Sequence, residues 1–325
     1  MKKQKIFSIA GFVISILLLF LSLRDIKFHE IIETLKKADF RFVFIPTVCI
    51  FISAFLSALK WSKISGNNIK VGQTFVALII GLFVNNVMPA RIGEIVKAYV
   101  LSKKTGVSFT YGISTVLVDR FFDLIGLLML TFIFFPKHSL PPQVSQGIYI
   151  LVTLLIVCMA AMIIMSRERF IKIIAGNLNK IKKPLFLKLA RRITEVQENL
   201  KRINSPLNIF YYISIAFVQW LFMSASLFCV MLTLGVSINP VYIPFVCALL
   251  NMGLTIPSSP GYVGVYQFLL VYLLSIFNIP KYEGFTVSIL FHASWYIPYN
   301  ILGFIFLMKE HLKIKELKKL EENGS

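Results

Sequence analysis

Apolar residues run in long blocks along this 325-residue chain, with the polar residues gathered between them. Crossing the hydrocarbon core of a bilayer takes roughly 20 apolar residues in a helix. Blocks near that length lie at 6–23, 42–59, 113–135, 147–165, 209–234 and 285–308, and each predicts a membrane-spanning helix. Two more apolar regions are interrupted. The first, 74–102, breaks at Asn85-Asn86 and Pro89; the second, 241–277, breaks at Pro257-Ser258-Ser259-Pro260-Gly261. Each half is too short for a full crossing. The pattern predicts an all-α polytopic membrane protein with six full transmembrane helices plus two re-entrant, broken helix hairpins.

Composition strengthens this reading. The chain is 57 % hydrophobic and 15 % charged, with a mean hydropathy of +0.77. A soluble domain is roughly half apolar and a quarter charged. The formal charge is +19. On a membrane protein such an excess fits basic cytoplasmic loops beside anionic lipid, not nucleic-acid binding. Cys49, Cys158, Cys229 and Cys247 stand singly inside apolar blocks, and the four His are scattered. That spacing gives neither a metal site nor a disulfide framework, so no metal or cofactor is expected. The N-terminal MKKQK and the apolar stretch 6–23 are followed by Arg24-Asp25, with no small-residue cleavage site. The segment reads as an uncleaved first span, not a signal peptide.

If both broken regions leave on the side they entered, 26 Lys/Arg fall on one side, 7 on the other, and Arg120 inside a span. That bias puts both termini in the cytoplasm. The largest polar segment, the cytoplasmic loop 166–208, has 11 Lys/Arg against Glu168, Glu195 and Glu198. It reads as an amphipathic helix on the anionic inner leaflet, a tRNA or protein partner being the narrower alternative. Outside, 24–41 carries Ile26, Ile31, Ile32 and Leu35 at helical spacing and predicts an interfacial helix. Pro89…Gly93 and Pro260…Gly264 are both P-x3-G, each between two apolar half-helices. On the charge count the two hairpins open to opposite sides, the signature of an inverted repeat with its site near mid-membrane. The chain is then one domain, 1–325, with pseudo-repeat halves of 1–165 and 166–325.

Lipid cannot satisfy exposed backbone groups, so non-helical chain at depth must face protein or a wet cavity. Asn85, Asn86, Pro89, Arg91, Gly93 and Glu94 are expected to line such a cavity, an ordinary cytoplasmic loop being the alternative. Glu94 and Lys97 are three apart and can pair. The half-helix starting after Gly93 offers free N–H groups to a phosphate, and Arg91 can add a bidentate contact. Asp119, Arg120 and Asp123 share a face near the start of an apolar span. Charges there face a bundle interior or water; they serve a ligand or form an ion pair with Glu94 or Arg91 that ties two helices. Around the second break stand Asn251, Ser258, Ser259, Tyr262, Tyr266 and Gln267, and in the last span His292 lies near Trp295 and Tyr296. His292 is either a hydrogen-bonded structural residue or a direct contact. The candidate head-group residues are therefore Asn86, Arg91, Glu94, Lys97, Asp119, Arg120, Asp123, Gln267 and His292. The breaks are marked by Pro89, Gly93, Pro257, Pro260, Gly261 and Gly264. No P-loop, HExxH or dinucleotide loop is present, and no catalytic residue is assigned.

In order along the chain come N-x2-P-x-R-x-G-E (Asn86 to Glu94), Lys97, Thr105-Gly106, the Asp119-Arg120-x2-Asp123 motif and PSSPGYVGVYQ over 257–267. Together they resemble the flippase-like family named for the transmembrane region of lysylphosphatidylglycerol synthase, the membrane half of the bacterial multiple peptide resistance factor. The resemblance covers nearly the whole chain. It implies movement of a polar-headed lipid, aminoacylated phosphatidylglycerol or a polyprenyl-phosphate-linked species, between leaflets of a bacterial or archaeal cell membrane. In the full-length synthase a separate cytosolic domain transfers the amino acid from tRNA to the lipid. The longest extramembrane segment here is the 43 residues of 166–208. Phosphatidylglycerol lysyltransferase activity, or another lipid-modifying transfer, is thus the alternative and is not expected of this chain alone. Expected partners are membrane lipids, with a homo-oligomer also admitted and no nucleic acid. The family often has Glu where Gln267 stands, so this chain lacks a charge that would favour a cationic head group. His292 lies near a position where the family carries Arg or His.

Overall fold

A helix closes its own backbone hydrogen bonds, which is what hydrocarbon demands, and the apolar blocks fold accordingly. The computed structural model describes residues 2–24, 26–39, 44–66, 68–88, 92–136, 142, 145–150, 152–153, 156–157, 205–255 and 259–312. Among them run α1 (Lys2–Leu23), α2 (Phe28–Lys36), α3 (Phe44–Ser65), α4 (Val71–Val87), α5 (Gly93–Thr105) and α6 (Phe109–Ile133). They are followed by α7 (Pro206–Thr233), α8 (Ile243–Gly253), α9 (Val265–Ser275) and α10 (Lys281–Lys309). Single 3-10 turns lie at Pro240–Tyr242, before α8, and at Pro260–Tyr262, inside the second break.

Among the described residues three helices, α3, α7 and α10, are long and apolar enough to cross a membrane. The apolar stretches Gly11–Leu23, Val71–Val87, Pro240–Gly253 and Pro260–Ser275 are shorter. The predicted span over 147–165 and the loop 166–208 lie outside the described residues except for 147–150, 152–153, 156–157 and 205–208. Pro89, Arg91 and Pro257 also lie outside them.

Three sequence expectations shift. The helix expected over 113–135 starts at Phe109, because the Ser108 hydroxyl caps it by accepting from the Tyr111 N–H at 3.1 Å. Asp119, Arg120 and Asp123 therefore sit in the middle of a 25-residue helix, not at its start. The span expected over 42–59 continues to Ser65, so Lys60 is not the first residue of a loop but a fully buried helical residue. Asn85 and Asn86 do not break the first hairpin: α4 runs through both to Val87, and the break begins at Met88. Asn in a helix costs only about 0.7 kcal/mol, which tertiary contacts readily offset.

Ile50, Leu78, Leu130, Leu227, Phe245, Leu270 and Phe291 belong to one buried apolar cluster drawn from α3, α4, α6, α7, α8, α9 and α10. α7 lies along α3, α5 folds back on α4, and α10 covers α4. Large apolar side chains also face outward, among them Phe12, Phe44, Phe55, Phe132, Ile297 and Ile301. In water such surface would drive association; in a bilayer it is solvated by lipid. The short helix α2 buries Ile31 and Thr34 and exposes Phe28, Ile32 and Leu35.

Candidate functional site

The site grows from the first interrupted region. α4 and α5 cross at two glycines: a Cβ on Gly81 would lie 2.8 Å from the Gly93 carbonyl oxygen, and one on Gly93 would run into the Gly81 carbonyl and the Asn85 side chain. That close approach turns α5 back along α4. Asn85 Oδ1 accepts a hydrogen bond from the Gly93 N–H at 2.8 Å and so caps α5 across the break. Glu94 then falls in the first turn of α5, and Lys97 follows one turn later.

Both face the middle of α6, and an ionic cluster results. Lys97 Nζ lies 3.2 Å from Glu94 and 3.5 Å from Asp119. Arg120 Nη2 meets Glu94 Oε1 at 2.6 Å, while its Nη1 meets Asp123 Oδ2 at 3.2 Å. From α3, Lys60 Nζ lies 3.2 Å from Asp119 Oδ1 and pairs with Asp123 Oδ1. From α7, the Gln219 amide donates to Asp123 Oδ1 at 3.2 Å, and the Trp220 indole donates to the Asp123 carbonyl at 3.1 Å. Trp61 lies with its ring centroid 4.8 Å from Lys97 Nζ, its indole N–H donating to Thr115 Oγ1 at 3.1 Å. Four helices thus meet at three cations and three carboxylates. Burying an ion costs several kcal/mol unless partners and hydrogen bonds offset it, and here charges of opposite sign match one for one.

Burial divides the cluster. Lys60, Lys97, Asp119 and Asp123 are buried, whereas the side chains of Arg120 and Glu94 are 39 % and 34 % exposed. The accessible edge is one Arg–carboxylate pair, with its inner neighbours held by fixed partners. An incoming phosphate can replace a carboxylate on a guanidinium, because both present oxygens to the same planar fork.

The second break is built differently. Gly261 and Gly264 take φ of +67° and +90°, the left-handed region that only glycine enters freely. A Cβ on Gly264 would run into the Ser15 carbonyl of α1, whose hydroxyl accepts from the Ser259 N–H at 3.0 Å. Gln267 Oε1 accepts from the Gly264 N–H at 2.7 Å, and its amide nitrogen lies 3.0 Å from His292 Nδ1. The backbone N–H requires Oε1 there, so the amide nitrogen donates and His292 Nδ1 carries no proton. The His292 ring stacks on Tyr266 at 4.5 Å and lies 4.7 Å from Trp295. Gln267 and His292 hold the break together and do not join the ionic cluster.

The two breaks meet. A Cβ on Gly261 would sit 3.3 Å from the Asn86 carbonyl oxygen. The Asn86 side-chain nitrogen has no hydrogen-bond partner among the described residues, although the residue is only 4 % exposed. Of the expected head-group residues, the structure brings together Glu94, Lys97, Asp119, Arg120 and Asp123, sets Asn86 beside Gly261, and places Gln267 with His292. Lys60, Gln219, Trp61 and Trp220 were missed by the sequence reading. For Lys60 a signal existed: ALKWSKIS continues the helical apolar pattern past the lysine.

The chain matches the family described as the lysylphosphatidylglycerol synthase transmembrane region over residues 8–303. A UPF0104 membrane protein of Methanocaldococcus jannaschii is 26 % identical over 73 % of this chain and 98 % of its own length. One from Methanothermobacter thermautotrophicus is 27 % identical over 80 % of this chain and 81 % of its own. The glycosyltransferase AglD of Haloferax volcanii is 22 % identical over 89 % of this chain, which spans about half of that protein (52 %). No solved structure matches the chain. It is a multi-pass membrane protein with archaeal relatives, and it belongs to the family of the lysylphosphatidylglycerol synthase transmembrane region.

Proposed function

We propose that this chain is a lipid translocator that moves a polar-headed phospholipid or a polyprenyl-phosphate-linked lipid between leaflets. In this reading α1 and α6 span the membrane with α3, α7 and α10, the segment 147–165 supplies the sixth span, and the chain is a single domain. The pairs α4–α5 and α8–α9 are re-entrant hairpins of an inverted repeat, and both termini are cytoplasmic.

The observation that carries the reading is the contact between the two interrupted regions at Asn86 and Gly261. Interrupted helices from two repeats that meet inside the membrane build a site reachable from either side. The partly exposed Arg120–Glu94 pair starts one residue past Gly93, whose N–H is held by Asn85, the neighbour of Asn86. The lipid phosphate would take the place of Glu94 on Arg120, and Glu94 would turn to a cationic or hydroxyl group of the head. Arg91 and the Asn86 amide would add donors. Tails stay in the bilayer, so only the head crosses. Each unsatisfied polar group of a bare head would cost several kcal/mol in hydrocarbon; the site replaces those lost hydrogen bonds without ATP.

The test is leaflet exchange of head-labelled lipids in proteoliposomes. Wild type should exchange them well above protein-free vesicles. Glu94→Gln keeps the side-chain shape and should slow exchange roughly tenfold, the loss expected from one charge-assisted contact. Wild type no faster than empty vesicles would end the reading.

The similarity to AglD favours a second reading, a transferase acting on lipid-linked substrates. Product formed by the purified chain from a glycosyl donor and a lipid acceptor, with no leaflet exchange, would establish that reading instead.

A further inference from the structure

Among the described residues the ionic cluster is neutral, and only its edge can be reached. Lys60, Lys97, Asp119 and Asp123 are buried, so a ligand meets Arg120 and Glu94 first. The described charges around Glu94 are Lys97 on its own helix, Asp119, Arg120 and Asp123 on α6, and Lys60 on α3. α4 carries no titratable side chain. Lys104, near the far end of α5, pairs with Glu310. Arg91 lies outside the described residues.

Glu94 is the carboxylate of the cluster whose partners a ligand can take. Its Oε1 meets Arg120 at 2.6 Å, and its Oε2 lies 3.2 Å from Lys97. Neither Glu94 Oε2 nor Lys97 Nζ makes a hydrogen bond among the described residues, although Lys97 is only 1 % exposed. The Lys97 ammonium is thus a buried cation held by charge, with donors to spare for an oxygen ligand. Asp119 and Asp123, by contrast, share Lys60 behind them.

A phosphate that displaces Glu94 from Arg120 therefore finds Lys97 as a second cation. The exchange strips Glu94 of both its cations and sets four anions against three cations. An unpaired charge at such a site is costly, and an ionisable group escapes the cost by neutralising. Of the three carboxylates, Glu94 alone combines lost partners with access to solution. A proton from solution converts its carboxylate to the carboxylic acid and returns when the head leaves. A head with an ammonium group beside its phosphate needs no such proton, because the ammonium replaces the lost cations on Glu94.

We propose that Glu94 couples the binding of a singly anionic lipid head to uptake of a proton, whereas a zwitterionic head binds without one. This rests on the placing of a lipid phosphate on Arg120 in the translocation reading, and adds that the occupied site stays neutral.

The test is isothermal titration calorimetry of the purified full chain in detergent with short-chain, water-soluble lipids, run at neutral pH in two buffers of different ionisation enthalpy. The difference between the buffers counts the protons taken up. Phosphatidylglycerol should bring about one proton per lipid bound, and its affinity should fall about tenfold per pH unit over the range of full uptake. Phosphatidylethanolamine should bring none. Glu94→Gln should bind phosphatidylglycerol without uptake, and Glu94→Asp should keep the uptake. Loosened packing would not remove the proton while leaving the binding. Wild type that binds phosphatidylglycerol without a proton overturns the proposal and means that a further cation, such as Arg91, balances the phosphate. Glu94→Gln that still takes up the proton overturns it by assigning the proton to another group. A chain that binds neither lipid overturns it too. Leaflet exchange measured on the same preparation separates the two claims. Exchange without linked uptake leaves the translocation reading standing and ends this proposal; linked uptake without exchange does the reverse.

Discussion

Lys60 is a fully buried ammonium group in α3, held between Asp119 and Asp123 of the neighbouring helix α6. Taken alone, each of the three would be too costly to place there. Removing one member of a buried set strands the others, and the usual loss is about 3–5 kcal/mol. Lys60→Met keeps the length and apolar stem of the side chain but leaves two carboxylates short of a cation. It should lower the melting temperature in detergent far more than a surface substitution such as Lys70→Met. Adding Asp123→Asn to Lys60→Met restores the match of two cations to two carboxylates and should recover part of the loss. The coupling between the two positions is then the measured quantity. A single variant as stable as wild type would mean that Lys60 does not belong to the charge balance.

The hairpin α4–α5 turns on two adjacent asparagines with different duties. Asn85 spends its side-chain carbonyl on the Gly93 N–H, whereas Asn86 meets Gly261 through its backbone carbonyl and has a side-chain nitrogen with no hydrogen-bond partner among the described residues. Asn85→Ala orphans a buried donor and should cost about 1–3 kcal/mol of stability. Asn86→Ala removes a side-chain nitrogen that has no partner among the described residues, so it should lower the melting temperature less than Asn85→Ala and, on the translocation reading, slow leaflet exchange. Melting and exchange measured on the two variants decide the matter; the same phenotype from both would refute this division. Gly93→Ala should behave like Asn85→Ala or worse, since its Cβ meets backbone that cannot yield. Much of this element was legible in the sequence: the halves are visibly too short to span, and Pro89, Gly93 and Glu94 mark where the chain turns. The ends of the helices were less so. An N-cap at Ser108 moved the Asp119-Arg120-Asp123 group to mid-helix, and a helix that continues past Lys60 turned an expected loop residue into the centre of the cluster. That the two breaks meet was expected from the repeated P-x3-G, but the residue pair, Asn86 with Gly261, was not legible, because it joins residues far apart in sequence through packing that no local pattern encodes.

At the scale of the whole molecule, the charge distribution and the two hairpins make one joint claim. The excess of 26 Lys/Arg over 7 orients the chain only if each interrupted region returns to the side it entered. The α4–α5 hairpin then opens to the cytoplasm and the α8–α9 hairpin to the outside, and their contact brings a cytoplasm-facing and an outward-facing half-helix pair together. The pairing of Lys104 on α5 with Glu310 just after α10 agrees with this, since it puts the end of α5 beside the end of the last helix. Single cysteines test the arrangement on a background with Cys49, Cys158, Cys229 and Cys247 replaced by serine. Cysteine at Lys70 or Lys103 should react with a membrane-impermeant maleimide only after the membrane is opened. Cysteine at Phe28 on α2, or at Tyr282 at the start of α10, should react on intact cells. If α4–α5 crossed the membrane as a single pass, Lys70 and Lys103 would fall on opposite sides, and the hairpin would be excluded. Reversal of all four positions would keep the hairpins but invert the chain, so that the basic segments faced outward against the charge rule.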